Sequence, residues 1–230
     1  GHTQLVSDVY QHEDSMLRHL RLHQAEDTQV SLLLNRVSLD ARAHYHNVAI
    51  SLSGGLGRLE TRVTFNAPGS HAGLATALLS GGKQHIDITT RLNHLSADTT
   101  SDTIARTILD DEAFGIFQGK VIVHEDAQRV EATQKSDALM LSADAMMNVK
   151  PELEIYADDV ACAHGSAIGE IDHEALFFLR SRGIDEEAAR IMLVEGFVSE
   201  ILGRLDDFAA GAVLQENLLK RVATFLKKSA

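Results

Sequence analysis

Residues 59–66 read Leu-Glu-Thr-Arg-Val-Thr-Phe-Asn. Leu59, Thr61, Val63 and Phe65 fall on one side of a two-residue period, and Glu60, Arg62, Thr64 and Asn66 on the other. A strand points successive side chains to opposite faces, so this run predicts a half-buried β-strand. The same period returns downstream. Ile86, Ile88, Thr90 and Leu92 alternate with Asp87, Thr89, Arg91 and Asn93, and Leu153 and Ile155 alternate with Glu152, Glu154 and Tyr156. Residues 30–39, 48–52, 104–109, 119–124 and 139–141 are further strand-like runs. Turn signals separate them: Ser53-Gly54-Gly55, Ala67-Pro68-Gly69, Ser80-Gly81-Gly82 and Asp110-Asp111. About ten short strands with no strong helix between them suit a sandwich, a barrel or a β-helix. No clean sequence repeat chooses among the three.

Past Gly169 the period changes. Asp172 is placed to cap a helix carrying Ala175, Leu176, Phe178 and Leu179 on one face, with Gly183 at its end. Asp185 is placed to cap a second, whose first turn holds Glu186 and Glu187, where the helix dipole favours negative charge. Mostly apolar residues then recur at three and four spacing through Ile201. A last helix starts near Ala212, with Leu214, Leu218, Val222 and Phe225 along one stripe and Lys227-Lys228 at its end. The expected organisation is an N-terminal segment over residues 1–27, a β-rich core over 28–169 and a helical domain over 170–230.

Composition narrows the function classes. The chain has 230 residues, with 33 acidic against 21 basic side chains, a net charge of −12. Such a surface repels phosphate backbones and anionic lipid, so neither nucleic acid nor membrane is an expected partner. No apolar run approaches the roughly 18 residues of a membrane helix. The single cysteine excludes an intramolecular disulfide and a four-cysteine zinc site, and suits a reducing cytoplasm. Twelve histidines point to metal ligation or proton handling without proving either.

Cys162 and His164, in Asp159-Val160-Ala161-Cys162-Ala163-His164-Gly165, are the leading candidates for metal ligands. On a strand they share a face, roughly 7 Å apart. Thiolate and imidazole suit iron and zinc, but two donors need others from the fold or from a partner. The bland alternative is a buried thiol beside a structural histidine. His44 and His46 share a face if 43–52 is one strand, either as a ligand pair on an apolar face or beside a bulge. His85 with Asp87 resembles an acid/base pair but fits a surface hydrogen bond better. Glu152 and Glu154 mimic a glycosidase carboxylate pair in spacing, yet their alternation with Leu153 and Ile155 favours a solvated face. There is no G-x-S-x-G elbow, and the Gly-rich run at 53–57 lacks the Lys-Ser/Thr of a phosphate-binding loop.

Four segments in this order resemble one known family: Gly81-Gly82-Lys83-Gln84-His85-Ile86-Asp87, the run 114–123 beginning Phe-Gly-Ile-Phe, the run 150–165 from Lys-Pro-Glu-Leu-Glu through Cys162-Ala163-His164-Gly165, and Leu176-Phe177-Phe178-Leu179-Arg180-Ser181-Arg182-Gly183-Ile184. Together they are similar to the SufB/SufD family of the SUF iron–sulfur cluster assembly system, over about residues 15–205. Glycine after His164 resembles the SufD branch, where SufB reads His-Glu-Ala. The pattern departs from the family in Gln134-Lys135-Ser136-Asp137, where an arginine is lost, and in Cys162-Ala163-His164-Gly165-Ser166-Ala167, where a serine and a threonine have changed.

The resemblance implies a right-handed parallel β-helix followed by a small helical domain. It implies a non-catalytic scaffold subunit, paired with a SufB-like chain through the β-helix end and bound to a SufC-like ATPase through the C-terminal helices. His164 matches a histidine facing the SufB partner and Cys162 a neighbouring cysteine. The implied cargo is transient iron or a nascent cluster at that seam, with no cofactor held stably by the chain alone. Family members also carry an N-terminal helical region, so the chain is expected to start inside or just before the β-helix. Its exposed end would allow a homodimer in isolation. Two other classes compete: a carbohydrate-active β-helix enzyme, disfavoured by having no Trp and three Tyr, and a purely structural oligomerisation domain.

Overall fold

The computed structural model describes residues 1–52, 54–209 and 211–228. Ser53, one of the turn residues named above, lies outside them. The described residues form twelve strands: β1 (His2–Gln11), β2 (Met16–His23), β3 (Val30–Leu39), β4 (His44–Ser51), β5 (Leu56–Phe65), β6 (His71–Ser80), β7 (His85–His94), β8 (Thr100–Leu109), β9 (Phe114–Val123), β10 (Val130–Met140), β11 (Met146–Ile155) and β12 (Val160–Glu170). Helices α1 (His173–Ser181), α2 (Glu186–Gly203) and α3 (Gly211–Lys228) follow, with a 3₁₀ turn, Arg204–Asp207, between the last two.

Odd strands build one six-stranded sheet and even strands the other. Each strand pairs in parallel with the strand two further on, so the chain winds through six coils of a parallel β-helix. The coil length is not constant. Register partners are 28 residues apart for His2 and Val30, 26 for Val30 and Leu56, and 32 for Phe114 and Met146. That drift removes the sequence repeat while preserving the structural one.

Corners stack as regularly as strands. Asp14, Arg42, Gly69, Asp98 and Arg129 occupy successive levels of one corner, all with positive φ between 54° and 76°. A Cβ at Gly69 would come 3.1 Å from Arg42 Cγ, so the crowded middle level takes the residue without one. Arg42 Nε donates to Asp14 Oδ1 and Arg129 Nε to Asp98 Oδ1, each at 2.6 Å, tying one corner to the next.

Two apolar columns fill the lumen. One contains Tyr45, Phe65, Leu92 and Val121, the other Leu59, Leu78, Ile86, Ile88 and Phe117. Fully burying each such side chain stabilises the fold by about 2 kcal/mol. Between the columns runs a polar belt: Asn35, Thr61 and Thr90 from the odd sheet face inward, as do Asn47, Thr103 and Gln134 from the even sheet, and all six are buried. Arg21 crosses this belt, its Nη2 donating to Asn47 Oδ1 at 2.8 Å and Thr61 Oγ1 at 2.7 Å.

The helices cover the outer face of the even sheet. Asp172 accepts from the backbone of Glu174 and Ala175, and Asp185 from Ala188, so both expected caps form. Gly183 adopts φ +85° after α1. Val48, Ile50, Ala75, Ala77 and Ile104 on the sheet meet Ile201, Leu205 and Leu218. Leu79, Ile108 and Leu139 meet Leu176, Val194, Val198 and Val222. Arg106 of β8 bonds Glu200 of α2 and Asp137 of β10, both at 2.6 Å, while Arg204 bonds Asp102 of β8 at 2.8 Å.

Two departures from the sequence reading have one cause each. Nearly all of β6, His-Ala-Gly-Leu-Ala-Thr-Ala-Leu-Leu-Ser, is buried, because its inner side faces the lumen and its outer side the helices. A strand covered on both sides has no reason to alternate. Residues 1–27 lead into the β-helix as strands: β1 and β2 form its first coil. That coil is packed on one side only, so its lumen-facing positions are not uniformly apolar. No described helix is long and apolar enough to cross a membrane.

A candidate metal-presenting strand at the end of the β-helix

Cys162 and His164 lie on β12, the edge strand of the even sheet in the last coil. Among the described strands β12 pairs only with β10, so its other edge is unpaired. In register, Cys162 stands beside Ala132 and His164 beside Gln134. Both therefore occupy the lumen-facing parity of the sheet. In a central coil that parity is sealed; in the last coil it opens outward. Cys162 is half-buried against the first lumen column, together with Val160 and Leu153. His164 is exposed.

Burial pushes the Cys162 thiol up from its ordinary value, with a hydrogen bond to the Ala132 backbone acting in the opposite sense. A thiol so placed stays protonated at neutral pH and becomes a strong donor only when a metal displaces its proton. No group of three His, Cys, Asp or Glu side chains among the described residues is arranged to hold a metal ion. The geometry thus presents two donors, a strand repeat of roughly 7 Å apart, at an open edge.

Gln134 backs this pair. It reaches across the lumen because Gly119 opposite has no side chain: a Cβ there would sit 2.4 Å from Gln134 Oε1. Its Nε2 donates to the Gly119 carbonyl at 3.3 Å, and its buried Oε1 has no hydrogen-bond partner among the described residues. Sequence reasoning singled out Gln134 only as part of a departure from the family pattern, since adjacency across parallel strands 30 residues apart is invisible without the register. On the outer side of β12, Ala163, Gly165 and Ala167 leave a groove of about 580 Å³ against Glu200 and Arg204.

The remaining candidates resolve differently. His44 and His46 share the outer face of an unbulged β4, their rings stacked 6.5 Å apart. His85 and Asp87 share a face but do not pair: Asp87 takes Arg58 at 3.0 Å and Thr89 at 2.9 Å, while His85 packs edge-on against Phe114. Glu154 bonds Lys120 at 2.6 Å and Glu152 pairs with Lys150 at 2.7 Å. Lys150 holds the Glu152 carboxyl below its usual range, the reverse of what a glycosidase acid needs. Asp159 closes a corner, its carbonyl accepting from Arg129 and its amide donating to Gln128.

The last coil of the β-helix thus ends on an unpaired edge strand that carries a half-buried thiol and an exposed imidazole, with a helical module on its flank. The comparison with known proteins agrees on the family. Residues 2–197 match the model of the SufBD core domain, described as SUF system FeS cluster assembly, and the chain belongs to that family. It is 31% identical over 191 residues to the iron–sulfur cluster assembly protein SufD of Escherichia coli, covering 83% of this chain and 44% of that one. It is 30% identical over 203 residues to an iron–sulfur cluster assembly SufBD family protein of Synechocystis, covering 87% and 44%. SufD of Bacillus subtilis is 29% identical over 146 residues, covering 64% and 33%. The chain thus spans less than half the length of these curated relatives.

Proposed function

We propose that this chain is the β-helix and helical portion of a non-catalytic scaffold subunit for iron–sulfur cluster assembly. It pairs with a SufB-like subunit along β12 and carries a SufC-like ATPase on its helices. The observation that carries the reading is the position of His164 and Cys162. They point from the lumen-facing side of a strand whose free edge can take a second strand, so a partner brought there adds ligands to the two already present. Iron or a nascent cluster is the cargo of that seam rather than a resident cofactor. On α1, Phe177 is 74% exposed and Phe178 56% exposed beside buried Leu176, an apolar surface suited to a protein partner. Family membership supports the same reading, since the relatives named above carry iron–sulfur cluster assembly in their names.

The test is co-expression of the full-length protein with SufB- and SufC-like partners, followed by anaerobic iron and sulfide analysis. His164→Ala is expected to keep complex formation and lose most of the bound iron and sulfide. A variant complex that retains its full complement of both removes His164 from the site.

A further inference from the structure

The helices pack on the even sheet, and among the described residues nothing covers the outer face of the odd sheet. That face carries a line of four cations. The register sets Arg36 of β3 beside Arg62 of β5, Arg62 beside Arg91 of β7, and Arg91 beside Lys120 of β9. One strand spacing separates each from the next, so the line runs roughly 14 Å along the axis of the β-helix. Arg36, Arg62 and Arg91 are exposed and Lys120 is half-buried. Like charges side by side on adjacent strands destabilise a sheet, and the chain as a whole carries −12. The line thus runs against both the stability of the sheet and the composition of the chain.

Nearby carboxylates offset it unevenly. At one end Asp8 of β1 accepts from Arg36 at 2.7 Å, and at the other Glu154 of β11 accepts from Lys120 at 2.6 Å. In the middle, Glu60 is shared between Arg62 at 2.6 Å and Arg58 at 3.3 Å, and Arg58 also takes Asp87. Arg91 has no ion pair among the described residues. Two residues further along each strand, Ser38, Thr64 and Asn93 stand in register on the same face. These shorter side chains form a low shelf beside the cations. On the other side of Arg36, Leu34 is half-buried and Val6, its neighbour in register, is exposed.

Spacing selects what can lie there. An α-helix laid along the axis advances about 5.4 Å per turn against about 4.8 Å per coil, so its residues at i, i+4, i+7 and i+11 meet one cation each. Carboxylates at those positions make charge-assisted bonds to guanidinium groups, whose fixed fork suits them. A second copy of this chain does not fit, because twofold packing on this face sets cation against cation. A phosphate backbone does not fit either, since its uniform charge meets Glu60 and Glu154 as well as the cations.

We propose that the outer face of the odd sheet docks an acidic helix of a partner protein, laid along the β-helix axis over Arg36, Arg62, Arg91 and Lys120. Arginine clusters are a recurrent reader of acidic segments. The surface is separate from the β12 edge and from the helical module, which both belong to the even sheet. This partner therefore competes for neither.

The experiment uses the purified full-length protein and two labelled helical peptides of one composition, read by fluorescence anisotropy at about 50 mM salt, where surface charges are weakly screened. One peptide carries Glu at i, i+4, i+7 and i+11; in the other the same residues are dispersed around the helix. The striped peptide is expected to bind about tenfold tighter than the dispersed one, and to weaken as salt rises. Arg62→Glu/Arg91→Glu is expected to weaken it by more than about tenfold with an unchanged far-UV spectrum, and to bind instead a striped peptide with Lys in place of Glu. Cys162→Ser/His164→Ala is expected to bind like the parent. Failure of the parent to bind the striped peptide, equal binding of the two peptides, or binding that survives the double charge reversal overturns the proposal. So does binding abolished by the Cys162/His164 variant. If the charge-reversed protein does not fold, Arg62→Gln/Arg91→Gln decides by the same comparison.

Discussion

His94 is fully buried, its ring stacked on Phe65 with centroids 4.0 Å apart. The Thr99 hydroxyl donates to the Ser96 carbonyl and so accepts from His94 Nδ1 at 2.7 Å, leaving Nε2 to accept from Ser101 at 3.0 Å. No neighbour in that set stabilises a second proton, and burial pushes the imidazole down to about 3. The unfolded chain takes that proton near pH 6.5, the folded chain only near 3. Stability is therefore full above 6.5 and falls as pH drops through the window down to 3, at up to roughly 1.4 kcal/mol per pH unit. His19, His23 and His71 are depressed mainly by burial and add in the same direction. His94→Gln is expected to reduce the slope of unfolding free energy against pH between 6 and 4 by about one proton, measured by urea denaturation. An unchanged slope would show that this ring does not set the acid sensitivity.

At the scale of elements, the helical module is held by apolar contact and by two arginines from different elements. The Arg106 side chain is 7% exposed and joins Asp137 and Glu200, whose side chains are 19% and 46% exposed. Its guanidinium also lies 5.6 Å over the Phe197 ring. Arg106→Leu leaves the half-buried Asp137 carboxylate without its principal cation; Lys135 remains at 3.7 Å. The expected cost is about 3 kcal/mol, with Glu200 contributing little because water solvates it. Limited proteolysis should then cut within residues 170–185 while the β-helix stays intact. If the melting temperature and cleavage pattern match the parent, the docking rests on apolar contact alone.

For the whole molecule, the open end of the β-helix is the dominant feature. Ile168 on β12 and Tyr156 after β11 are 52% and 63% exposed in the last coil. A free strand edge next to exposed apolar side chains is a template for another strand. The isolated chain is expected to associate as its concentration rises, and Ile168→Lys to shift the equilibrium toward monomer, read by sedimentation velocity. A parent that stays monomeric at high concentration would mean that β12 pairs only with a chemically distinct partner.

The two-residue period at 59–66, 86–93 and 152–156 determined that the body is β, and Asp172, Gly183 and Asp185 located the helices, because alternation and capping are local properties. The motif around Cys162 and His164 named the candidate donors for the same reason. The sheet partner of each strand, the burial of β6 on both sides, the first coil within residues 1–27, the reach of Gln134 toward Gly119 and the line of Arg36, Arg62, Arg91 and Lys120 were decided only in three dimensions. Most depend on register between segments 26 to 32 residues apart; the outer cover of β6 and the contact of Gln134 with Gly119 depend instead on packing of the helices on the sheet and of the two sheets across the lumen. Changing coil lengths erase that register from the linear order, and only the hydrogen-bonded stacking of one coil on the next restores it.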